Sequence, residues 1–168
     1  MNKSIIKKGA AGEAALNKWL KAQQLSYVAV CQSKKTFSPL FSDEVKRPDF
    51  LILFESIGLI AVDVKNYKFS RGKYTLKLED ELKRSLAFER LFRIPLWYAY
   101  CDDSEDQMSW YWISALKAVE VGEVRTNGKT DEQFLAIDRS EFEHITDASD
   151  LAKLYTHRLP GVSKISTI

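Results

Sequence analysis

The sequence predicts an α/β fold, a mixed β-sheet with helices packed on it, and three observations carry that expectation. Residues 5–22 bring Ile5, Ile6, Leu16, Trp19 and Leu20 onto one stripe at helical spacing. Two apolar runs, 49–54 and 59–65, are separated only by Glu55-Ser56-Ile57-Gly58, which is the spacing of a hairpin with a glycine at its end. A helical stretch at 79–92 then leads into an aromatic strand at 95–100. The order is helix, strand, strand, strand, helix, strand, followed by a mixed C-terminal extension.

Each element has its own signal. Gly9-Ala10-Ala11-Gly12 lies inside the first helix, where each glycine costs about 1 kcal/mol relative to alanine but lets another backbone approach closely. Residues 26–31 read as a strand, and 32–47 as a polar loop. After the hairpin, 67–73 is a basic loop and 74–78 a short strand or extended segment. Helix 79–92 opens on Glu79-Asp80-Glu81 and closes near Arg90 and Arg93, matching the helix dipole. Its apolar side is read as Leu82, Leu86 and Leu91, opposite Lys83, Ala87 and Arg90. Aromatic strands at 95–100 and 110–114 flank the acidic loop 102–106, with a further strand at 134–137 and helices at 140–145 and 149–159. Trp97, Tyr98, Tyr100, Trp110, Tyr111 and Trp112 alternate along those strands as core residues, any exposed ones serving a homodimer contact or base stacking. With no repeat and no linker, a single domain over 1–168 is expected, with a core at about 5–100 and an acidic, aromatic extension at 101–168.

The 168 residues suit one domain, and 45% hydrophobic content suits a real core. A net charge of +2 conceals an asymmetry. Residues 1–100 hold 18 Lys and Arg against 10 Asp and Glu; residues 101–168 hold 7 against 13. A basic half points to a polyanionic partner, most commonly nucleic acid. Cys31 and Cys101 form no disulfide framework or metal cluster and are read as small buried hydrophobes in a reducing compartment. Isolated His144 and His157 argue against zinc and against Ser-His or Cys-His catalysis. No apolar stretch approaches the roughly 20 residues of a membrane span, and the N-terminus lacks a signal-peptide core, so a cytoplasmic protein with no membrane partner is expected.

The hairpin gathers charge. Pairing symmetrically about Ser56 sets position 54 opposite 58, 52 opposite 60 and 50 opposite 62, so Asp49 falls opposite Asp63. Directly opposed residues share a face with Cβ atoms about 4.5–5.5 Å apart. Lys65, two residues on, projects from the same face. Leu51, Leu53, Leu59 and Ala61 continue that face, and Phe50, Ile52, Phe54, Ile60, Val62 and Val64 form the other, so the hairpin is expected to be buried on both sides. Two opposed carboxylates repel unless one is protonated or a cation lies between them. A hard divalent cation such as Mg²⁺ resolves the repulsion and brings waters that can attack phosphorus, with Lys65 meeting the charge that builds there. The plainer alternative is that Asp49 simply starts a strand after Pro48 while Lys65 neutralises Asp63.

Arg47-Pro48-Asp49, followed fourteen positions on by Asp63-Val64-Lys65, resembles the PD-(D/E)XK nuclease signature, and the order of elements over 5–100 is similar to the restriction-endonuclease-like αβββαβ core of that superfamily. The small size and the Gly-x-x-Gly-Glu helix resemble Holliday-junction-resolvase-like and restriction-endonuclease-like members, and Asp63-Val64-Lys65-Asn66-Tyr67 resembles the nuclease-related domain. Many members carry a glutamate on the first helix, and Glu13 fits; it shares a stripe with Gly9, Leu16 and Leu20. A shared metal or a salt bridge, for instance to Lys65, would each satisfy it. The resemblance implies an Mg²⁺-dependent DNA endonuclease, with Mn²⁺ as a substitute, in which Glu13, Asp49 and Asp63 hold the metal and Lys65 assists the water and the transition state. Some members add a glutamine or lysine on the second helix, where this chain offers only Lys83.

Lys34, Lys35, Lys46, Arg47, Lys68, Arg71 and Lys73 lie in loops flanking the proposed site and are read as phosphate contacts, with Tyr67 packing on a sugar or unpaired base. The acidic loop 102–106 would repel DNA. Two other readings remain: a non-catalytic nucleic-acid-binding module of the same fold, and a protein-interaction component of a DNA-processing complex.

Overall fold

The computed structural model describes residues 3–36, 38–41, 44–55, 57–66, 69–101 and 109–156. Strands β1 (Ser26–Ala29), β2 (Phe50–Phe54), β3 (Gly58–Lys65), β5 (Leu96–Cys101), β6 (Trp110–Ser114) and β9 (Glu143–Ile145) form a mixed sheet in the order β1-β2-β3-β5-β6-β9. β4 (Lys73–Lys77), β7 (Glu123–Thr126) and β8 (Gln133–Asp138) form a separate antiparallel sheet in the order β4-β8-β7. The helices are α1 (Lys3–Ala22), α2 (Arg84–Phe92), α3 (Ala115–Val121) and α4 (Lys153–Thr156). The α/β class and the mixed sheet agree with the sequence. None of the described helices is long and apolar enough to cross a membrane.

α1 buries Leu16, Trp19 and Leu20 against one face of the large sheet, where they meet Phe50, Ile52, Ile60, Val62, Trp110 and Trp112. The close approach expected of its glycines occurs at Gly12. A Cβ there would stand 3.1 Å from the Cβ of Asn66 and 3.3 Å from Cγ1 of Val64, whereas nothing lies within 4 Å of a Cβ at Gly9. The other face is covered by α2, α3 and the small sheet, through Tyr74, Leu76, Phe88, Leu135 and Ile137 against Ala61, Leu96, Tyr98 and Tyr100.

The hairpin register is the symmetric one, with Phe50 opposite Val62, Ile52 opposite Ile60 and Phe54 opposite Gly58. The backbone N–H of Asp49 also donates to Val62 O at 2.9 Å, so Asp49 and Phe50 both stand against Val62 and the regular ladder ends at Phe50. Burial on both sides holds only at the end away from the turn. Leu53 and Leu59 are 46% and 44% exposed, because the covering layer on their face packs on Ala61 and Leu96 and stops short of them. β3 has an antiparallel neighbour, β2, and a parallel one, β5, with Asp63 level with Tyr98 and Lys65 level with Tyr100.

Four local readings change. The stretch 79–92 begins as a π-helical turn, Leu78–Lys83, before α2, and it buries Glu81, Leu82, Ser85 and Phe88 rather than Leu91. The expected helix at 140–145 is the short 3₁₀ turn Arg139–Glu141 followed by β9. Phe142 and Ile145 are three apart, as on one helix face, yet they enter opposite cores, as strand alternation requires. α3 escaped the sequence reading although Ser114 caps it, its side chain accepting from the N–H of Lys117 at 3.1 Å. Cys31 is exposed, and only Cys101 is buried as expected.

Candidate active site

Asp49, Asp63 and Lys65 meet where the β2–β3 ladder runs out. Asp49 is held by its backbone on both sides, donating to Val62 O and accepting from Val30 N–H at 2.9 Å. Its Oδ2 accepts the N–H of Val64 at 2.7 Å, so the carboxyl group turns inward onto β3. Burial first, then the negative charges of Asp63 and Glu13, push this carboxyl up to about 8, against the opposing pull of the Val64 N–H and Lys46. At neutral pH Asp49 keeps its proton, which is one of the two ways the repulsion between opposed carboxylates can be resolved.

Asp63 takes the opposite course. It is buried, which favours its neutral form, but the ammonium groups of Lys65 and Lys46 outweigh burial and hold it below the ordinary carboxylate range. Nζ of Lys65 lies 2.6 Å from Oδ2 and Nζ of Lys46 lies 3.4 Å from Oδ1. Lys65 is itself buried, which pulls its pKa down; Asp63 and Glu81 outweigh burial and raise it well above the usual lysine value. It is a fixed cation, donating to Oε1 of Glu81 and lying 5.6 Å from the ring centroid of Tyr98.

Glu81 and Tyr98 escaped the sequence reading. The sequence signal of Glu81, with Glu79 and Asp80, is an acidic first turn that complements the helix dipole; in the structure the π-helical turn carries it inward, where its other oxygen accepts the N–H of Lys77 at 3.3 Å. The signal that finds it is the stripe Glu81, Ser85, Phe88 at i, i+4, i+7, all three buried. Tyr98 is predictable only from the β3–β5 register, a pairing across a long crossover.

Glu13 stands at the mouth, half-buried, on the helical turn that Gly12 lets down onto Val64 and Asn66. Burial and then the charge of Asp63 raise its carboxyl, while Lys46 lowers it. The ion pairs shown for Lys65 run to Asp63 and Glu81.

The flanking basic residues have different roles. Lys46 belongs to the site itself, beside Asp63. Arg47 is a loop clamp, its Nη1 donating to the carbonyls of Cys31 and Ser33 at 2.7 Å each. Lys73 is committed to the small sheet, 2.8 Å from Asp138 and 3.5 Å from Glu123. Lys34 and Lys35 lie in the short turn Lys34–Thr36, Lys35 exposed, and Arg71 is exposed in the turn that leads into β4. Tyr67, Lys68, His157 and the acidic loop 102–106 lie outside the described residues.

The donor set of Glu13, Asp49 and Asp63 is all oxygen, and the repulsion that adds to burial in raising the carboxyls of Asp49 and Glu13 is a charge environment that a hard divalent cation relieves. Its chemistry fits such an ion. The spacing does not close around one: among the described residues no three His, Cys, Asp or Glu side chains stand near enough to hold a metal, and both oxygens of Asp63 face lysines. In comparisons with known proteins no family model matches this chain, and neither a curated protein nor a solved structure matches it.

Proposed function

We propose that this protein is a divalent-metal-dependent DNA nuclease of the PD-(D/E)XK type. The observation that carries the reading is the geometry at the end of the β2–β3 hairpin: the half-buried Asp49, whose Oδ2 accepts the Val64 N–H at 2.7 Å, stands by the buried Asp63, whose Oδ2 lies 2.6 Å from the buried ammonium group of Lys65. The element order of the large sheet supports it as well, once β4 is set aside with the small sheet: α1, the three strands β1-β2-β3, then α2 and β5 parallel to β3, similar to the restriction-endonuclease-like core.

In this reading Glu13, Asp49 and Asp63 hold Mg²⁺ or Mn²⁺, which would supply a water of lowered pKa and offset the charge of the phosphate. Lys65 is too firmly protonated to serve as a base. Its part is electrostatic, meeting the negative charge that grows on the phosphate oxygens. Glu81 and Tyr98 keep the ammonium group in place, and Lys46, partly exposed beside Asp63, is placed to contact the phosphate.

Asp63→Ala and Lys65→Ala each abolish Mg²⁺-dependent cleavage in a panel of linear, branched and single-stranded DNAs, with the circular dichroism spectrum unchanged. Failure of the purified protein to nick any of these with Mg²⁺ or Mn²⁺ would sink the reading. The open spacing of the carboxylates favours one rival, a nucleic-acid-binding module of the same fold. That rival binds DNA in a salt-sensitive way that neither Mg²⁺ nor Asp63→Ala alters.

A further inference from the structure

The two lysines on Asp63 are held in different ways. The Lys65 side chain is 4% exposed and is fixed by Asp63 at 2.6 Å, by Glu81 and by the ring of Tyr98. The Lys46 side chain is 26% exposed, and its ammonium group approaches Oδ1 of Asp63 only to 3.4 Å. Its backbone is the anchored part: the N–H of Lys46 donates to Arg84 O at 3.0 Å, and the neighbouring Val45 is buried. The flexible four-carbon stem swings from that fixed point, so the ammonium group can leave without disturbing the loop that carries it. Lys65 divides its charge between Asp63 and Glu81, whereas the charge of Lys46 bears on Asp63, Asp49 and Glu13 together. An ammonium group among three carboxyl groups stands where a hard divalent cation would find its oxygen ligands.

We propose that Lys46 is a tethered cation that holds the metal position in the metal-free chain and yields it by exchange. Its ammonium group turns out toward solvent and the substrate phosphate when a divalent ion binds, while Lys65 stays in place. The inference rests on the nuclease reading for the identity of the metal ligands. It gives a reason for the open spacing of the carboxylates, since Oδ1 of Asp63 is engaged by Lys46 until the exchange. The exchange also sets a threshold on free metal, because the apparent affinity falls in proportion to the time Lys46 spends in the site.

Mn²⁺ is titrated into the full chain, and the free ion is read by electron paramagnetic resonance. Lys46→Met keeps the stem and removes the charge, and it is expected to bind Mn²⁺ about tenfold more tightly than the wild type. Lys46→Arg, which keeps the charge, stays close to the wild type. So does Lys21→Met, which removes an exposed charge from the last turn of α1. The wild-type chain, labelled with ¹³C-lysine, supplies a second measurement that needs no substitution. Mg²⁺ is expected to move the ε-CH₂ signal of Lys46 toward those of exposed lysines and to leave that of Lys65 in place. Equal or weaker Mn²⁺ binding by Lys46→Met, or equal tightening in Lys21→Met, overturns the proposal. A Lys65 signal that moves while that of Lys46 stays, or no Mn²⁺ binding below about 10 mM, does the same. The cleavage panel judges the nuclease reading separately. DNA cleavage with equal Mn²⁺ affinity in the wild type and Lys46→Met strikes only the exchange, and tighter Mn²⁺ binding by Lys46→Met without cleavage by the wild type strikes only the nuclease.

Discussion

Asp49 and Asp63 are the same chemical group a few ångströms of backbone apart, yet the fold gives them opposite protonation. Asp63 has two lysines; Asp49 has one backbone N–H and two acidic neighbours. Because the folded carboxyl of Asp49 titrates near 8 and the ordinary one near 3.8, the folded chain binds the proton more tightly. That contribution to stability is complete below the ordinary value and is lost as pH climbs through about 8. Asp49→Asn keeps an acceptor for the Val64 N–H and removes the titration. It should flatten the fall in melting temperature between pH 5 and 8, and stabilise the protein by about 1–2 kcal/mol at pH 8 by thermal denaturation. That Asp49, Asp63 and Lys65 meet at one end of the hairpin was legible in the sequence because the pairing of residues 50–54 with 58–62 is arithmetic about Ser56. Their protonation was not, because it depends on Lys46 and Glu13, which arrive from a loop and a helix.

At the level of elements, two local irregularities set the site. The first is the π-helical turn before α2, a rare geometry that recurs at functional positions and here rotates Glu81 onto Lys65. Glu81→Ala leaves the buried ammonium with one fewer acceptor and should cost about 2 kcal/mol in urea unfolding, while Glu81→Gln, which can still accept, costs roughly half as much. The second is Gly12. Gly12→Ala favours the helix by about 1 kcal/mol in propensity, but its methyl presses on Asn66 and Val64 and moves α1 away from β3. Cleavage should fall by about tenfold with stability changed by less than about 1 kcal/mol, the loss lying in where Glu13 stands. A glycine in this helix was readable as a point of close approach; which of the two served, and against what, was not, since the partner lies some fifty residues away in β3. The 79–92 stretch is readable as helical, but a 3.6-residue period does not show a π insertion, and so the inward position of Glu81 is not legible from it.

Across the whole molecule, the near-neutral sum divides along the sequence into a basic part, residues 1–100, which supplies every residue of the carboxylate–lysine site, and an acidic part, residues 101–168. On the nuclease reading, DNA binding should weaken linearly on a log–log plot of affinity against salt, and replacing Lys35 and Arg71 together with alanine should reduce the slope by about 2, measured by fluorescence anisotropy. Arg47→Ala should act differently, loosening the 31–36 loop it clamps rather than removing one phosphate contact. The large sheet was foreseeable in outline because its first strands are neighbours in the chain. The small sheet was not, since β4 pairs with β8 across some sixty residues and no local period records such a pairing.

The mixed pairing of β3 also dictates when the site comes together. Its antiparallel partner β2 is a turn away and joins quickly, whereas its parallel partner β5 must wait for the crossover that carries Glu81. Until then the two aspartates face each other with their counter-charges incomplete, so that end of the hairpin is a poor place for folding to begin. The charge cluster is therefore expected on the late side of the barrier, where its loss speeds unfolding more than it slows folding.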